Sequence, residues 1–299
     1  MAQGSRTAPA VAFAVATLGI AVFSWMDAVM KGLSLAIGTY NALFWRGLAS
    51  VAISGAAYAF LRAPWPTRAA MRLHVIRGVV STAMAVLFFW GLARVPMAQA
   101  IALAFIAPLI ALFLAAVILK ETIGRTTIVA SAIAFAGVVT ILIGQWRSEL
   151  GPDALRGALA VLASAICYAF NIILMRAQSL VADVIEVTFW QSLIVTACLT
   201  LAAPWFAVLP RVEHAPAIGL AALFVTLSLA LLSWAYARGE ASYLAPSEYT
   251  AFVWASALGF MVFGEHLSPW TVTGALLIVV GCALAARRSP PPPVSEGVL

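Results

Sequence analysis

Long apolar runs alternate with short polar stretches along the whole chain. The runs lie near 9-30, 40-61, 73-94, 96-119, 126-144, 155-176, 184-208, 216-237, 242-264 and 269-286. They are continuous, and most approach the ~20 residues that carry an α-helix across a ~30 Å hydrocarbon core. A membrane barrel would instead show strands of about ten residues with strict alternation. The pattern therefore predicts an all-α membrane protein of ten transmembrane helices. The links are short, and the longest hold turn formers: Pro64, Pro66 and Thr67, then Gly151 and Pro152, then Pro210 and Pro216. Short links predict antiparallel neighbours. From Ser289 onward, Pro290 to Pro293 stand in a row without apolar company, which predicts a disordered tail over 289-299.

The first run follows Arg6, as the core of a secretory signal would. At about 22 residues it exceeds the usual ~7–15, and no convincing cleavage site leads into a soluble domain, so it is read as the first span. Composition agrees with lipid as the solvent. The chain is 64% hydrophobic and 9% charged, against roughly 25% charged in a soluble domain. A net charge of +6 raises nucleic acid as a partner, but the cations are scattered between apolar runs instead of clustered on a polar face. No nucleic-acid partner is expected. Cys167, Cys198 and Cys282 each fall inside an apolar run. Without CxxC spacing they support neither disulfides nor a metal, and read as small buried hydrophobes.

The cations are better explained as topology signals. With the N-terminus in the cytoplasm, eleven Lys and Arg fall on that side, Arg77 and Arg176 among them. Five fall outside (Lys31, Arg94, Arg147, Arg156 and Arg211), and Arg46 lies within a span. The positive-inside rule then predicts a multi-pass protein of a bacterial-type inner membrane with both termini cytoplasmic.

The chain also repeats itself. A shift of 144 overlays Trp90 on Trp234, Ala93 on Ala237, Arg94 on Arg238, Glu121 on Glu265 and Gly137 on Gly281. Nearer each start the shift is 145, bringing Lys31 onto Arg176, Ser34 onto Ser179, and Phe44-Trp45 onto Phe189-Trp190. The predicted units are a first five-helix repeat over 1-150 and a second over 151-288. Five is odd, so the second copy enters from the opposite face and the repeats are inverted. Inverted repeats are a transporter architecture, with cargo near the midplane and alternating access by exchange of the two halves' conformations. Lys120 and Arg125 of the first copy become Gly264 and Pro269 in the second. Loss of cations from the outward-facing copy is what inversion and positive-inside selection predict together.

Two stretches carry a family resemblance. Pro108-Leu-Ile-Ala-Leu-Phe-Leu-Ala-Ala-Val-Ile-Leu-Lys-Glu121 with Gly137-Val-Val, and Phe252-Val-Trp-Ala-Ser-Ala-Leu-Gly-Phe-Met-Val-Phe-Gly-Glu265 with Gly281, resemble the paired EamA-type units of the drug/metabolite transporter superfamily. Arg46, in Phe-Trp-Arg-Gly-Leu-Ala, matches that family's second-helix arginine. The resemblance spans the whole chain and is greatest to the bacterial aromatic amino-acid exporters. It implies a central cavity formed largely by helices 1, 3, 4, 6, 8 and 9, and export of amino acids, drugs or metabolites. Phe252 stands where the first copy has Pro108, so no kink is carried into helix 9 there.

Several residues are candidates for the site. Glu248 lies inside span nine, on a face with Ala251, Ala255 and Gly259; its repeat mate is Ala104. It either lines the cavity, meeting a substrate amine or carrying a proton, or packs in protonated form. Asp27 and Arg46 sit at matching depth and predict an ion pair that lowers the cost of both, structural or gating in role; direct substrate binding is the other reading. Gln99, Ser164, Tyr168, Asn171, Gln191, Ser228, Tyr243, Ser247 and Tyr249 supply neutral hydrogen-bonding groups, most of which should bond neighbouring helices. Tyr168, Tyr249 and Ser164 rise because the resemblance places helices 6 and 9 around the cavity. Trp90 and Trp234 are repeat-matched aromatic walls, whereas Trp65, Trp146 and Trp270 suit an interfacial belt. Glu121 and Glu265 read as caps or anchors, and His74, His214 and His266 as interfacial groups with no metal site.

The function classes separate on these grounds. A transporter of amino acids or similar small amphipathic metabolites fits the inverted repeat, and a multidrug or other metabolite exporter of the same fold is the alternative. An intramembrane enzyme would need clustered acids, histidines or a metal at one depth, and a channel a continuous polar path. The sequence shows neither. No GxxxxGK[ST] loop occurs, so no nucleotide cofactor is expected, nor any other. The predicted partners are a small-molecule substrate and the lipid bilayer, with monomer or homodimer open.

Overall fold

The computed structural model describes residues 9–107, 109–111, 113–114, 125–147, 152–179, 181–236 and 247–286. Glu121, Tyr243 and the predicted tail lie outside them. The described residues form α1 (Pro9–Ile37), α2 (Thr39–Phe60), α3 (Arg68–Leu92), α4 (Met97–Ala104), α5 (Arg125–Arg147), α6 (Pro152–Ser179), α7 (Val184–Phe206), α8 (Ala215–Tyr236), α9 (Thr250–Phe263) and α10 (Pro269–Ala286). Six of these (α1, α2, α3, α6, α7 and α8) are long and apolar enough to cross a bilayer, and the other four contribute shorter apolar helices. Large apolar side chains also point outward, as with Phe60 at 88% exposure and Leu201 at 77%. Water would penalise such a surface, and lipid does not.

Local chemistry sets the boundaries. Gly38 is the whole link between α1 and α2, at φ 79°, where a side chain would be strained. Thr67 caps α3 by accepting from the Ala70 N–H at 3.2 Å. Gly264 closes α9 at φ 67°, donating to the Phe260 carbonyl, while the Glu265 N–H reaches the Gly259 carbonyl. That turn aims Glu265 back into the bundle. α4 stops at Ala104 and the chain turns through Phe105 and Ile106 before helix resumes. A proline at 108 offers no N–H to the Ala104 carbonyl, so an unbroken helix is disfavoured there.

The tertiary pairing follows the repeat. α1 packs on α8 and α3 on α6; α2 meets α7, α4 meets α9, and α5 meets α10. Exchanging the two copies maps each of these pairs onto another or onto itself, as an inverted two-fold requires. Two hydrogen bonds show the same symmetry at atomic scale. The Ser228 hydroxyl donates to the Gly19 carbonyl at 2.9 Å, and the Ser164 hydroxyl to the Met84 carbonyl at 2.9 Å. Gly19 and Ser164 are mates under the shift of 145, and Met84 and Ser228 under 144. One contact is thus built twice, with the serine on opposite partners. Each bond joins helices and is worth about 0.6 kcal/mol in a bilayer. Ser164→Ala is expected to lower stability by about that amount and to leave flux unchanged, as thermal unfolding and liposome uptake would check.

The symmetry is incomplete in one respect. Among the described residues α1 packs on α2 and α3 of its own repeat, whereas its mate α6 has no comparable packing on α7 and α8. The two copies therefore hold different internal arrangements.

Candidate functional site

Three polar assemblies are set into the apolar bundle. The first closes the end where α1 and α9 finish. Lys31 was expected beyond the first span, but α1 continues to Ile37 and buries it. Its ammonium pairs with the Glu265 carboxylate and donates to the Val95 carbonyl, while the other Glu265 oxygen accepts from the Met97 N–H at 2.8 Å. Glu265 is thus more than the anchor foreseen, because it clasps α1, α9 and the α3–α4 link together.

The second assembly surrounds Asp27 and Arg46. Both are deep in the bundle and within electrostatic reach of one another. They do not form the direct ion pair expected from their matching depth, since no N···O contact within 4.0 Å joins them. Arg46 instead lies over the Phe89 ring at 5.6 Å and contacts the Met26 sulfur at 3.5 Å. The ring face supplies negative potential without a second ion.

The third assembly lies at the opposite end, between α3, α6 and α7. His74, expected at the interface, is fully buried there. Its Nε2 is 2.9 Å from a Glu186 oxygen, and its Nδ1 meets the Gln178 side-chain nitrogen. Arg77 donates through Nε to Asn171 Oδ1 at 2.9 Å and through Nη1 to Gln178 Oε1. Asn171 in turn donates to the Ser81 hydroxyl at 2.6 Å. The chemistry of the donors assigns the orientations. A guanidinium only donates, so the Gln178 oxygen must face Arg77 and its amide N–H groups must face His74. His74 Nδ1 is therefore the acceptor, and Nε2 carries the proton given to Glu186. Sequence reading treated Arg77 as a topology signal and passed over Gln178. The stripe that carries Gln178 is nonetheless readable, because Ser164, Tyr168, Asn171 and Gln178 follow at steps of four, three and seven residues on one face of α6.

Tyr168 stands out on that stripe. Ser164, Asn171 and Gln178 are buried, yet Tyr168 is 38% exposed, and it is within electrostatic reach of both Arg77 and Glu248. Tyr168 thus links electrostatically to a cation of α3 and to the carboxylate at the start of α9. Glu248 and Tyr249 are half-buried at the turn that begins α9, and Ser247 is buried beside them. Tyr249 meets Phe105 edge to face, at 5.4 Å and 88°. These two residues are mates under the shift of 144. Both fourth helices are thus interrupted at the same repeat position, and the interruptions touch across the pseudo-two-fold axis.

The remaining candidates are dispersed. Trp90 is covered by the Arg94 guanidinium at 3.6 Å, and Trp234 packs with Phe13 and Leu232 around a small cluster of Ala12, Ala16 and Ala235. Gln99 is buried in α4. His214 and His266 lie on α8's approach and after α9, apart from His74. Among the described residues no group of His, Cys, Asp and Glu is placed to hold a metal.

The geometry agrees with comparison to known proteins. The chain is 25% identical over 280 residues to the pseudopaline exporter of Pseudomonas aeruginosa, covering 91% of this chain and 95% of that protein. It is 29% identical over 280 residues to a riboflavin transporter of Rhizobium johnstonii, covering 90% and 88%. It is 28% identical over 213 residues to an S-adenosylmethionine uptake transporter of Rickettsia bellii, covering 69% of each. Residues 10–143 and 155–287 each match one family unit, one for each copy of the internal repeat, and on that ground the chain, a multi-pass membrane transporter, belongs to the EamA-like transporter family.

Proposed function

We propose that this transporter exports amino acids, aromatic and other neutral ones, with similar small amphipathic metabolites, across a bacterial-type inner membrane by alternating access, both termini being cytoplasmic. The observation that carries the reading is the meeting of the two interrupted fourth helices. Inverted-repeat carriers place cargo where broken helices face each other near the midplane, since freed backbone groups and helix ends there can solvate a polar ligand. Here the mates Phe105 and Tyr249 touch at that point, and one copy adds Glu248 where the other has Ala104. An acid that the repeat does not require suits the amine of a cargo or a coupled proton.

The unequal packing of α1 and α6 within their own repeats supports alternating access, because exchange of two unequal halves is how such carriers switch sides. The relatives move three different small molecules, one outward and one inward by name, so the fold itself dictates neither cargo nor direction. Aromatic linings near the axis favour an aromatic or aliphatic side chain. A recess of about 310 Å³ between α1, α8 and α9, lined by Trp25, Val29, Leu33 and Phe263 with His214 at its edge, favours apolar drugs or metabolites as a second reading.

The test is uptake of labelled phenylalanine, methionine and threonine into liposomes containing the purified protein, with and without a pH gradient. Saturable flux is expected, and Glu248→Gln is expected to remove its response to the gradient. Unchanged gradient response in that variant would return Glu248 to packing. Absence of flux for every amino acid, in folded protein, would overturn amino-acid export and leave the second reading.

A further inference from the structure

We propose that Arg77 is the anchor for a carboxylate of the cargo, held in position by Asn171 and Gln178. The assignment takes the identity of its ligand from the transport reading above, but its structural grounds are separate.

The first ground is charge. Arg77 lies well inside α3, yet its two acceptors are neutral amide oxygens, and among the described residues no carboxylate lies within 4.0 Å of it. A guanidinium has five N–H groups in a planar fork. Two are bound, and among the described residues no group accepts from the other three. Arg77 is half-buried and none of its nitrogens is fully buried without a partner, so the unbonded N–H groups keep some accessibility. A cation set in a bilayer and held by neutral groups alone is stabilised by an anion that fits the fork, and a carboxylate does so bidentately.

The second ground is an internal control that the inverted repeat supplies. Under the shifts of 144 and 145, His74, Arg77 and Ser81 of α3 correspond to Ile218, Ala221 and Val225 of α8. Tyr168, Asn171 and Gln178 of α6 correspond to Phe23, Met26 and Leu33 of α1. The α1–α8 interface is therefore the same interface built from apolar residues, and Ile218, Ala221, Met26 and Leu33 are buried in it. Since that copy packs without any polar group at these positions, the fold does not require them in the other. Polar side chains that cost desolvation and that folding does not need are retained for a ligand.

The third ground is pre-organisation. His74, tied to Glu186, holds the Gln178 amide so that its oxygen can only face Arg77. Asn171, tied to Ser81, does the same from the other side. The free edge is thus fixed in direction before a ligand arrives, which reduces the ordering cost of binding. Tyr168, within electrostatic reach of Arg77, is the exposed member of the same α6 stripe.

The experiment is thermal stabilisation of the purified full chain in nanodiscs by the neutral amino acids and by their matched carboxamides, for wild type, Arg77→Lys and Arg77→Ala. The acids are expected to stabilise wild type and the amides not. Half-saturation should weaken about ten- to hundredfold in Arg77→Ala, as loss of a charge-assisted hydrogen bond predicts, and less in Arg77→Lys. Should Arg77→Ala fold poorly, the triple variant Arg77→Ala, Asn171→Met, Gln178→Leu carries the apolar mate residues and keeps the packing. Equal stabilisation by acids and amides, undiminished selectivity in the variants, or no stabilisation by any acid would overturn the anchor. Liposome flux separates this outcome from the transport reading. Amides carried as fast as acids remove the anchor and leave the carrier, whereas acid-selective stabilisation without flux leaves the anchor and removes the carrier.

Discussion

Glu265→Ala is expected to lower the thermal unfolding midpoint by roughly 6–12 °C, the largest loss from any single charged residue of the bundle. The change strands Lys31, a buried ammonium, and also leaves the Met97 N–H without its acceptor. Breaking a buried pair from one side costs about 3 kcal/mol or more, because the remaining charge stays desolvated. At about 2–4 °C per kcal/mol for a chain of this order of size, the shift follows. The double variant Lys31→Met with Glu265→Gln should recover most of the loss, since it removes both charges while the new amide oxygen still accepts from Met97. An equally low midpoint in single and double variants, measured side by side in detergent, would mean that the clasp is not what joins α1 to α9.

Gly137→Leu is expected to disrupt the α5–α10 pairing and to reduce folded yield. A Cβ at Gly137 would lie 2.6 Å from the Gly274 carbonyl oxygen, and one at Gly274 would lie 2.6 Å from the Gly137 carbonyl. The obstacle on each side is backbone, which no rotamer change removes, so the helices must separate and lose their packing contacts. Overpacking ordinarily costs about 1–3 kcal/mol and more where relaxation is blocked. Gly78 offers a contrast, since its added Cβ would meet the Ile194 side chain. Gly78→Ala should be rescued in part by Ile194→Ala, while no shortening at position 274 can rescue Gly137→Leu. Size-exclusion profiles and thermal midpoints of Gly137→Leu, Gly78→Ala and the Gly78→Ala, Ile194→Ala double variant would decide, and a monodisperse Gly137→Leu protein of wild-type midpoint would contradict the close approach.

The exposed apolar surface that lipid covers and the doubled motif that marks the family were both legible in the run of residues. So was Glu265 at the end of the second copy's fourth helix. The site was read less completely. Glu248, Tyr249 and Tyr168 were singled out and do lie near one another, whereas Trp90 and Trp234 were weighted as cavity walls and are packed against Arg94 and the start of α1. A helical wheel shows which residues share a face. It does not show which neighbour that face meets.

Two misreadings have a common physical origin. Lys31 and Arg77 read as topology cations, Lys31 because its apolar run stops just before it and Arg77 because it lies near the start of its run. In the structure α1 runs on past Lys31 and α3 starts at Arg68, and each cation is held by groups far away in sequence: Glu265 and Val95 for one, Asn171 and Gln178 for the other. His74 was misplaced for the same reason, since its partners Gln178 and Glu186 belong to the second repeat.

By itself the sequence determined the solvent, the ten helices, the inverted repeat and the family. These depend on composition, on the length of apolar runs and on self-similarity, all of which are local or periodic along the chain. Only the tertiary structure decided which polar side chains meet. Helix rotation and depth are set by packing between repeats, and a buried hydrogen bond depends on a partner about a hundred residues away, which no period in the sequence encodes.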